Sequence, residues 1–315
     1  MTPEAFRLFR ELGSGETVEL RDHARRHGTR LENVRRWIED IRLAGGPVEQ
    51  APGDACRLPW SIDFLDADAI RRSAGASVDA VEVHDQLDTT NRLVCERFRH
   101  RKAVLAEFQH AGRGRRGRAW RSPPGCGIWL SYGYRFHGSL ARLSALSLAA
   151  GIAIVEALPT PVGLKWPNDL VVHGRKLGGV LIEARGGADS GCEVALGVGV
   201  NVRLPQVDGK AGADPPWTDL SREVSRPVDR NRLAGALIAA LDAGCATFDQ
   251  YGFAGFADRW RARDVLSGRD VVVRPAGESP VRGRAEGVDV HGRLRVSTGH
   301  GPRSFDSGEV SVRFG

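Results

Sequence analysis

The segment at residues 112–120 holds the densest group of residues that could do chemistry. Its sequence is Gly-Arg-Gly-Arg-Arg-Gly-Arg-Ala-Trp, and it follows an apolar stretch. Glycines allow backbone amides to approach an anion closely, and arginines bind phosphate or carboxylate through paired hydrogen bonds. This pattern predicts a loop that binds a polyphosphate, with Trp120 available to stack on a purine. An arginine–glycine RNA-binding tail is the alternative, but such tails are repetitive and rarely lie between apolar strands.

A second group of polar residues lies between apolar stretches at residues 165–179. It contains Lys-Trp-Pro-Asn-Asp at 165–169 and Arg-Lys-Leu-Gly-Gly at 175–179. Two of the four lysines, Lys165 and Lys176, are in this group, although arginine is the usual cation in this chain. Asp169 can bind a divalent cation or orient a lysine, and Lys176 can direct its ammonium group at a carboxylate or phosphate. Pro-Asn-Asp alone is an ordinary turn, but together with the arginine-rich loop it predicts an anion-binding site.

Strands and helices alternate in the region that must position these two groups. Hydrophobic periodicity predicts helices at residues 89–100, 139–158 and 230–251. Strands are predicted at residues 81–84, 104–109, 127–136, 162–166, 170–173, 176–184 and 194–202. The pattern therefore predicts an α+β domain built on a mixed, mostly antiparallel sheet. After Gly268, glycine turns separate short strands at 271–274, 281–288, 294–298 and 310–313, which predicts a small β-barrel.

The first 62 residues have the pattern of a small helical module. Three amphipathic helices are predicted at residues 4–12, 18–27 and 30–43, and Thr29 is the expected N-cap of the third. Residues 47–58 are predicted to form two short strands around a Pro-Gly turn. The whole segment is therefore predicted to be a winged helix-turn-helix.

Positive charge is concentrated on the last two predicted helices of this module. Six arginines lie between residues 21 and 36, against two acidic residues. Neutralisation of DNA phosphates is the favoured interpretation, and a solvated face on a protein-interaction module is the alternative. The candidate DNA-binding residues are Arg30, Asn33, Arg35 and Arg36.

Other residue types argue against several kinds of site. The five cysteines are scattered and form no C-x-x-C pair, so neither a disulfide framework nor a zinc site is predicted. The nine histidines are expected to form no cluster with ligand spacing, which argues against histidine-based metal catalysis. No stretch of about 18 apolar residues and no signal-peptide core occurs, so we expect a cytoplasmic protein that does not enter a membrane.

Five motifs together resemble those of biotin–protein ligases, in the same order and with the same spacing. They are Asp-Thr-Thr-Asn at 88–91, the segment from Gln109 to Trp120, Lys-Trp-Pro-Asn-Asp at 165–169, Arg-Lys-Leu-Gly-Gly at 175–179 and Gly-Val-Gly-Val-Asn-Val at 197–202. The resemblance covers residues 81 to about 313, and the N-terminal segment is similar to that of the bifunctional members that also repress transcription. It implies an α+β multidomain protein with a class II synthetase-like catalytic domain and an SH3-like C-terminal barrel. The implied domains are 1–62 (winged helix-turn-helix), 63–80 (helical linker), 81–266 (catalytic) and 267–315 (SH3-like).

The resemblance also implies a role for each matching residue. The biotin-binding residues would be Thr89, Thr90, Asn91, Gln109, Arg113, Gly114, Arg115 and Lys176, with Arg115 and Lys176 also catalytic. Asp169 would bind the metal ion, and the ATP-binding residues would be Arg118, Trp120, Lys165, Asn168 and Asn201. Two positions depart from the family pattern: Thr89 replaces a more usual serine, and residues 53–58 lack the expected glycine–tyrosine signature.

The implied activity is the joining of biotin to a carrier-protein lysine, with ATP and Mg²⁺ as cofactors. Biotin is first converted to biotinyl-5′-AMP, and the carrier lysine then attacks this mixed anhydride. The implied partners are the biotin carboxyl carrier protein of acetyl-CoA carboxylase, operator DNA and, when the adenylate is bound, a second copy of the chain.

Two other functions are compatible with these motifs. A lipoate–protein ligase has a similar fold, but the complete arginine–glycine loop favours biotin. A biotin-sensing transcription regulator without ligase activity is the second, and the presence of Arg115 and Lys176 favours an active enzyme.

Overall fold

A computed structural model describes residues 1–187, 191–205, 216–275, 278–307 and 310–314. At the N-terminus, three helices are combined with a three-stranded antiparallel sheet. The helices are α1 (Pro3–Leu12), α2 (Leu20–Arg26) and α3 (Leu31–Leu43). The strands are β1 (Val18–Glu19), β2 (Glu49–Ala51) and β3 (Ala55–Arg57), in the order β1-β3-β2. The three helices and the two strands after them confirm the predicted order of elements.

Two details of this module differ from the predictions. The second helix begins at Leu20 and not at Val18, because Val18 and Glu19 pair with β3. Thr29 does not cap α3; Arg30 occupies the N-cap position, without a side-chain cap. The Thr29 hydroxyl instead accepts a hydrogen bond from the Asn33 side chain at 3.1 Å. The amphipathic character predicted for α3 is confirmed, since Val34, Ile38 and Ile41 form a buried stripe along it.

A seven-stranded mixed sheet forms the centre of the molecule. Its strands are β4 (Ala80–Leu87), β5 (Lys102–Gln109), β6 (Gly127–Phe136), β7 (Gly163–Lys165), β8 (Asp169–Val172), β9 (Arg175–Gly187) and β10 (Gly191–Asn201). The order is β4-β5-β6-β10-β9-β8-β7. Only β4 and β5 are parallel, so the expectation of a mostly antiparallel sheet is confirmed.

Helices cover both faces of this sheet. Side chains alternate along a strand, so Leu105 joins the main core under the long helices while Val104 packs beneath α5. The helices that follow the N-terminal module are α4 (Ala67–Ala74), α5 (Thr90–Glu96), α6 (Leu146–Ala157), α7 (Leu220–Glu223), α8 (Arg230–Tyr251) and α9 (Ala257–Arg261). The predicted helix at 139–158 is divided, since a 3-10 turn at Leu140–Leu143 precedes α6. The helix predicted to reach His100 ends at Glu96.

The C-terminal region is a five-stranded antiparallel sheet. Its strands are β11 (Asp270–Pro275), β12 (Val281–Val288), β13 (Leu294–Thr298), β14 (Gly301–Phe305) and β15 (Val310–Phe314). The order is β14-β13-β12-β11-β15, and β14 is a strand that the sequence pattern did not predict. Within the described part of the chain, no pairing joins β14 to β15, so no closed barrel is found there.

A buried ion pair connects the segment before α4 to the central sheet. The Arg230 side chain, at the start of α8, donates to Glu107 on β5 at 2.8 Å, and both side chains are almost completely buried. Arg230 also donates to the carbonyl of Asp63, and Glu107 accepts from the backbone amide of Leu65. A buried ion needs several partners. The contacts of Arg230 and Glu107 therefore fix the segment before α4 against β5. None of the described helices is long and apolar enough to cross a membrane.

Candidate functional site

A cavity of about 260 Å³ lies where β5, β6, β9 and β10 meet the arginine-rich loop. The residues predicted to bind biotin, ATP and metal line this cavity, with the exception of Asn201. These are Thr89, Thr90, Asn91, Gln109, Arg113, Gly114, Arg115, Arg118, Trp120, Lys165, Asn168, Asp169 and Lys176. The fold therefore brings together motifs that are up to 87 residues apart between Thr89 and Lys176.

One end of the cavity holds a chain of hydrogen bonds between neutral polar groups, and the chain ends on the carboxylate of Glu183. The backbone amide of Thr90 donates to the Gln109 side chain at 2.9 Å, and the Thr90 hydroxyl lies 2.7 Å from that of Ser131. Ser131 donates to Asn91 at 2.6 Å, and the Asn91 amide donates to Glu183 at 2.8 Å. Each of these polar groups is hydrogen-bonded to the next, so the donors and acceptors at this end of the cavity have fixed positions. Such an arrangement suits a neutral, planar polar group of a ligand.

Thr89 has a structural role at the same place. It is the N-cap of α5, and its hydroxyl accepts from the backbone amide of Arg92 at 3.5 Å. A hydroxyl at this position satisfies one of the unpaired amides that begin a helix. Thr89 supplies this hydroxyl as a serine would.

Two glycines of β10 make room for the side chains that face the cavity. A Cβ atom on Gly197 would lie 2.5 Å from Oδ1 of Asn91, and one on Gly199 would lie 2.7 Å from the Trp120 ring. Real Cβ contacts are longer than this, so any side chain at either position would displace its neighbour. Steric contact with Asn91 and Trp120 therefore explains why glycine occupies positions 197 and 199.

The arginine-rich loop is folded back on itself as a small hairpin. The Gly114 amide donates to the carbonyl of Arg118 at 2.7 Å, and the Trp120 amide donates to that of Gly112 at 2.8 Å. A short 3-10 turn spans Arg115–Gly117, with Gly117 at φ 69°. This closure directs several guanidinium groups at one cavity.

Lys176 and Trp120 form the other end of the cavity. Nζ of Lys176 is hydrogen-bonded to Oδ1 of Asp169 and lies 5.4 Å from the centre of the Trp120 ring. Trp120 stacks on Trp217, with ring centres 5.8 Å apart and an interplanar angle of 22°. An aromatic surface beside an ammonium group suits a purine joined to phosphates.

The electrostatics of the cavity are dominated by cations. Asp169 is the one carboxylate among its described lining residues, and it is already paired with Lys176. Burial lowers the pKa of Arg115, an effect that Asp169 partly opposes and that Arg116 and Arg118 strengthen. Bringing these cations together costs free energy that an anionic ligand would recover.

Asn168 and Asn201 hold the backbone in place. The Asn168 amide donates to the carbonyl of Val180 at 2.7 Å, which ties the turn after β7 to β9. Asn201 is fully buried behind the cavity, where its amide donates to the carbonyl of Thr218 at 2.9 Å. Its Oδ1 atom makes no hydrogen bond to the described residues.

Four lining or supporting residues were missed by the sequence reasoning. Ser131 and Glu183 complete the hydrogen-bonded chain, Trp217 stacks on Trp120, and Arg313 reaches the cavity from β15. Position 131 could have been found, because a serine among apolar neighbours on a buried strand needs a polar partner. The other three carry no local signal.

The predicted DNA-binding residues lie together on the outside of α3. Arg30, Arg35 and Arg36 are exposed, as expected for the side opposite the buried stripe. Arg35 donates to Asp54 in the β2–β3 turn at 3.0 Å, and Arg36 donates to Asn33 at 3.0 Å. These contacts are at the surface, where ion pairs contribute little free energy and exchange readily with other anions.

One prediction about histidine was wrong. His23 and His27 are four residues apart on and at the end of α2, and both approach Glu11 of α1. The sequence reasoning overlooked that this spacing puts two imidazoles on one side of a helix. All five cysteines are free thiols, and Cys95 alone is not fully buried.

Similarity to known proteins agrees with this geometry. Residues 83–201 match the biotin/lipoate A/B protein ligase family, and residues 266–313 match the biotin protein ligase C terminal domain. The chain is 33% identical to the bifunctional ligase/repressor BirA of Salmonella typhimurium, over 96% of this chain and 95% of that protein. It is 34% identical to BirA of Escherichia coli, over 89% of this chain and 88% of that protein. The solved structure of biotin protein ligase from Aquifex aeolicus in complex with biotin and ATP aligns with a TM-score of 0.63 and 25% identity, over 75% of this chain and 100% of that one.

Proposed function

This chain belongs to the biotin protein ligase family, and we propose that it activates biotin with ATP and attaches it to a lysine of the biotin carboxyl carrier protein of acetyl-CoA carboxylase. One observation carries this proposal. The arginine-rich loop and the Lys-Trp-Pro-Asn-Asp turn line the same cavity, next to a buried chain of neutral polar groups. The cavity thus combines a place for a neutral ring with a place for phosphates.

We assign the neutral end to the ureido ring of biotin. Thr90, Asn91 and Gln109 offer the donors and acceptors that a urea group needs, with Thr89 fixing the start of α5. Arg113, Gly114 and Arg115 would close over the valeryl chain, and Lys176 would receive its carboxylate. The carboxylate then lies between the two ends of the cavity.

We assign the Trp120 end to ATP. Trp120 would stack on the adenine, while Arg118, Lys165 and Arg313 supply positive charge for the phosphates. Asn168 and Asn201 would act by holding the backbone, since their side-chain amides are bonded to Val180 and Thr218. Asp169 fits a Mg²⁺ ion, because Mg²⁺ is usually held by one or two carboxylates together with substrate phosphates. Such an ion would neutralise charge on the phosphates.

The first step forms the adenylate. An oxygen of the biotin carboxylate attacks the α-phosphorus of ATP, the bond to the β-phosphate oxygen breaks, and pyrophosphate leaves. Lys176 and Arg115 stabilise the negative charge that grows on the phosphoryl oxygens, and no enzyme nucleophile is required. Preorganised donors of this kind contribute about 10²–10³ in rate each.

The second step transfers biotin to the carrier. The neutral amine of a carrier lysine attacks the acyl carbon, an amide forms, AMP leaves and the amine gives up a proton. An acyl-adenylate is also open to attack by water, so the hairpin at 112–120 must cover it until the carrier arrives.

The N-terminal module supports a second role as a transcriptional repressor. Its order of elements, helix–strand–helix–helix–strand–strand, suits a winged helix-turn-helix, and the arginines of α3 face solvent. We propose that Arg30, Asn33, Arg35 and Arg36 contact operator DNA, and that two chains bind together because such modules read two half-sites. Because the proposed reaction consumes ATP and the proposed second role requires DNA, we place the protein in the cytoplasm.

The domain limits follow from the same elements. We propose a DNA-binding domain at 1–62, a helical linker at 63–80, a catalytic domain at 81–266 and an SH3-like domain at 267–315. The five antiparallel strands of the last domain support an SH3-like topology.

Exchange of labelled pyrophosphate into ATP tests the first step directly. We expect exchange with biotin and Mg²⁺, and attachment of biotin to a purified carrier domain when that is added. Exchange with lipoate in place of biotin would favour a lipoate ligase. Biotin binding without exchange or transfer would mean a regulator that lacks ligase activity.

A further inference from the structure

A second cluster of possible ligand atoms lies outside the cavity, inside the N-terminal module. Glu11 of α1, His23 of α2 and His27 at the C-cap of α2 each bring one oxygen or nitrogen atom to a common point, and these atoms all lie within 4.8 Å of one another. Nδ1 of His23 is 2.8 Å from Oε2 of Glu11, and Nε2 of His27 is 3.9 Å from the same oxygen.

These separations are compatible with a small metal ion, and the shorter one is also the length of a hydrogen bond between His23 and Glu11. A tetrahedral zinc ion with bonds of about 2.0–2.1 Å has ligand atoms about 3.3 Å apart, which lies between the two observed distances. Two histidines at positions i and i+4 of a helix, with a carboxylate from elsewhere, are a known zinc-binding arrangement. Only small side-chain movements would be needed.

The burial of the two histidines also suits a metal site. The His23 side chain is 2% exposed and His27 is 35% exposed, so the cluster has a closed side and an open side. Arg26 competes, since it is also bonded to Glu11 and would have to share or release that carboxylate.

We propose that Glu11, His23 and His27 bind a divalent transition-metal ion such as Zn²⁺, with water as the fourth ligand. The ion cross-links α1 to α2. His23 also contacts Trp37 of α3 edge-on, with ring centres 6.2 Å apart. The bound ion would therefore also restrict the movement of α3, the helix that carries Arg35 and Arg36.

Titration calorimetry of the full, untagged chain with Zn²⁺, after treatment with a chelator, tests this site. We expect the wild-type chain to bind one Zn²⁺ ion. In His27→Ala and in Glu11→Gln, this binding should be lost or its affinity should fall by more than about tenfold. Loss of an outer hydrogen-bond partner of a metal ligand already costs 10–100-fold in affinity, and these residues would be direct ligands. Both positions are partly exposed, so the variants are expected to fold, and far-UV circular dichroism checks this.

His137→Ala is the matched control. His137 also lies beside a carboxylate, with Nδ1 2.5 Å from Oδ2 of Asp249, but in a different part of the chain. Zn²⁺ affinity should not change in this variant, and pyrophosphate exchange should not change in any of the three. Equal Zn²⁺ affinity in wild type, His27→Ala and Glu11→Gln, or no Zn²⁺ binding at micromolar concentrations, would overturn the proposal.

Discussion

The cavity and the outer face of α3 hold their cationic side chains in opposite ways. In the cavity, Lys176 is bonded to Asp169 and lies against Trp120, and the surrounding polar groups are bonded to one another. On α3, Arg35 and Arg36 reach only Asp54 and Asn33, in contacts that are open to solvent.

This difference indicates two modes of recognition. A preorganised group of charges is complementary to one shape and costs little rearrangement when the ligand binds. Exposed arginines on a helix bind a uniformly charged partner through many weak, salt-dependent contacts. A substitution in the cavity should therefore affect the ligase reaction, and a substitution on α3 should affect DNA affinity alone.

Lys176→Ala tests the cavity side with the largest expected effect. The variant removes one charge-assisted contact made mainly in the transition state, so pyrophosphate exchange should fall by about 10²–10³. The side chain is partly exposed to the cavity and adds little to the core, so the melting temperature should change little. Arg185→Ala is the control, because Arg185 lies on the same strand but outside the cavity. Exchange at the wild-type rate in Lys176→Ala would contradict the assigned role.

Gly197→Ala and Gly199→Ala test whether the two ends of the cavity bind different substrates. The first methyl group would press on Asn91 and the second on Trp120, so KM should rise mainly for biotin in the first variant and mainly for ATP in the second. Overpacking costs about 1–3 kcal/mol, which corresponds to roughly 5- to 150-fold. Gly299→Ala is the control, because a Cβ atom at this position would have no neighbour within 4 Å. Equal effects on both substrates in both variants would show that the cavity is not divided in this way.

The double variant Arg35→Ala/Arg36→Ala tests whether the exposed arginines of α3 bind DNA. Affinity for the operator should fall by roughly tenfold at 0.1 M salt for each lost phosphate contact, and the salt dependence should weaken by about one unit per contact. Ligase activity should stay at the wild-type level. Mobility shifts with the chain's own upstream DNA measure this, and Arg71→Ala/Arg72→Ala on α4 removes the same charge elsewhere. Reduced ligase activity in the α3 variant would break the proposed separation of the two regions.

Arg115→Gly should affect both steps, and its smaller effect, on escape of the intermediate, tests whether the hairpin covers the adenylate. The hairpin loses a charge and a half-buried side chain, so adenylation slows and biotinyl-5′-AMP escapes before transfer. Bystander proteins should then become biotinylated several-fold more than with wild type. If the variant releases no more adenylate than wild type, the hairpin does not act as the cover for the intermediate.

The local groups that carry the chemistry could be predicted from the sequence. The arginine–glycine hairpin, the Lys165–Asp169 turn and the helix beginning at Thr89 are each made of neighbouring residues with strong conformational preferences. Their identities could therefore be predicted from spacing. The strands β6 and β12 and the helix α8 were predicted with their observed bounds, because long periodic or glycine-bounded segments have few alternatives.

Contacts between residues far apart in the sequence could not be predicted in this way. Glu183 comes within reach of Asn91, Trp217 of Trp120, and Arg313 of the cavity, because strand order and the positions of connecting segments place them there. Asn201 belongs to a family motif, yet it lies behind the cavity and not in its lining. The meeting of α1 with His23 and His27 is of the same kind. Such contacts depend on how whole elements pack, and no spacing within a short segment encodes them.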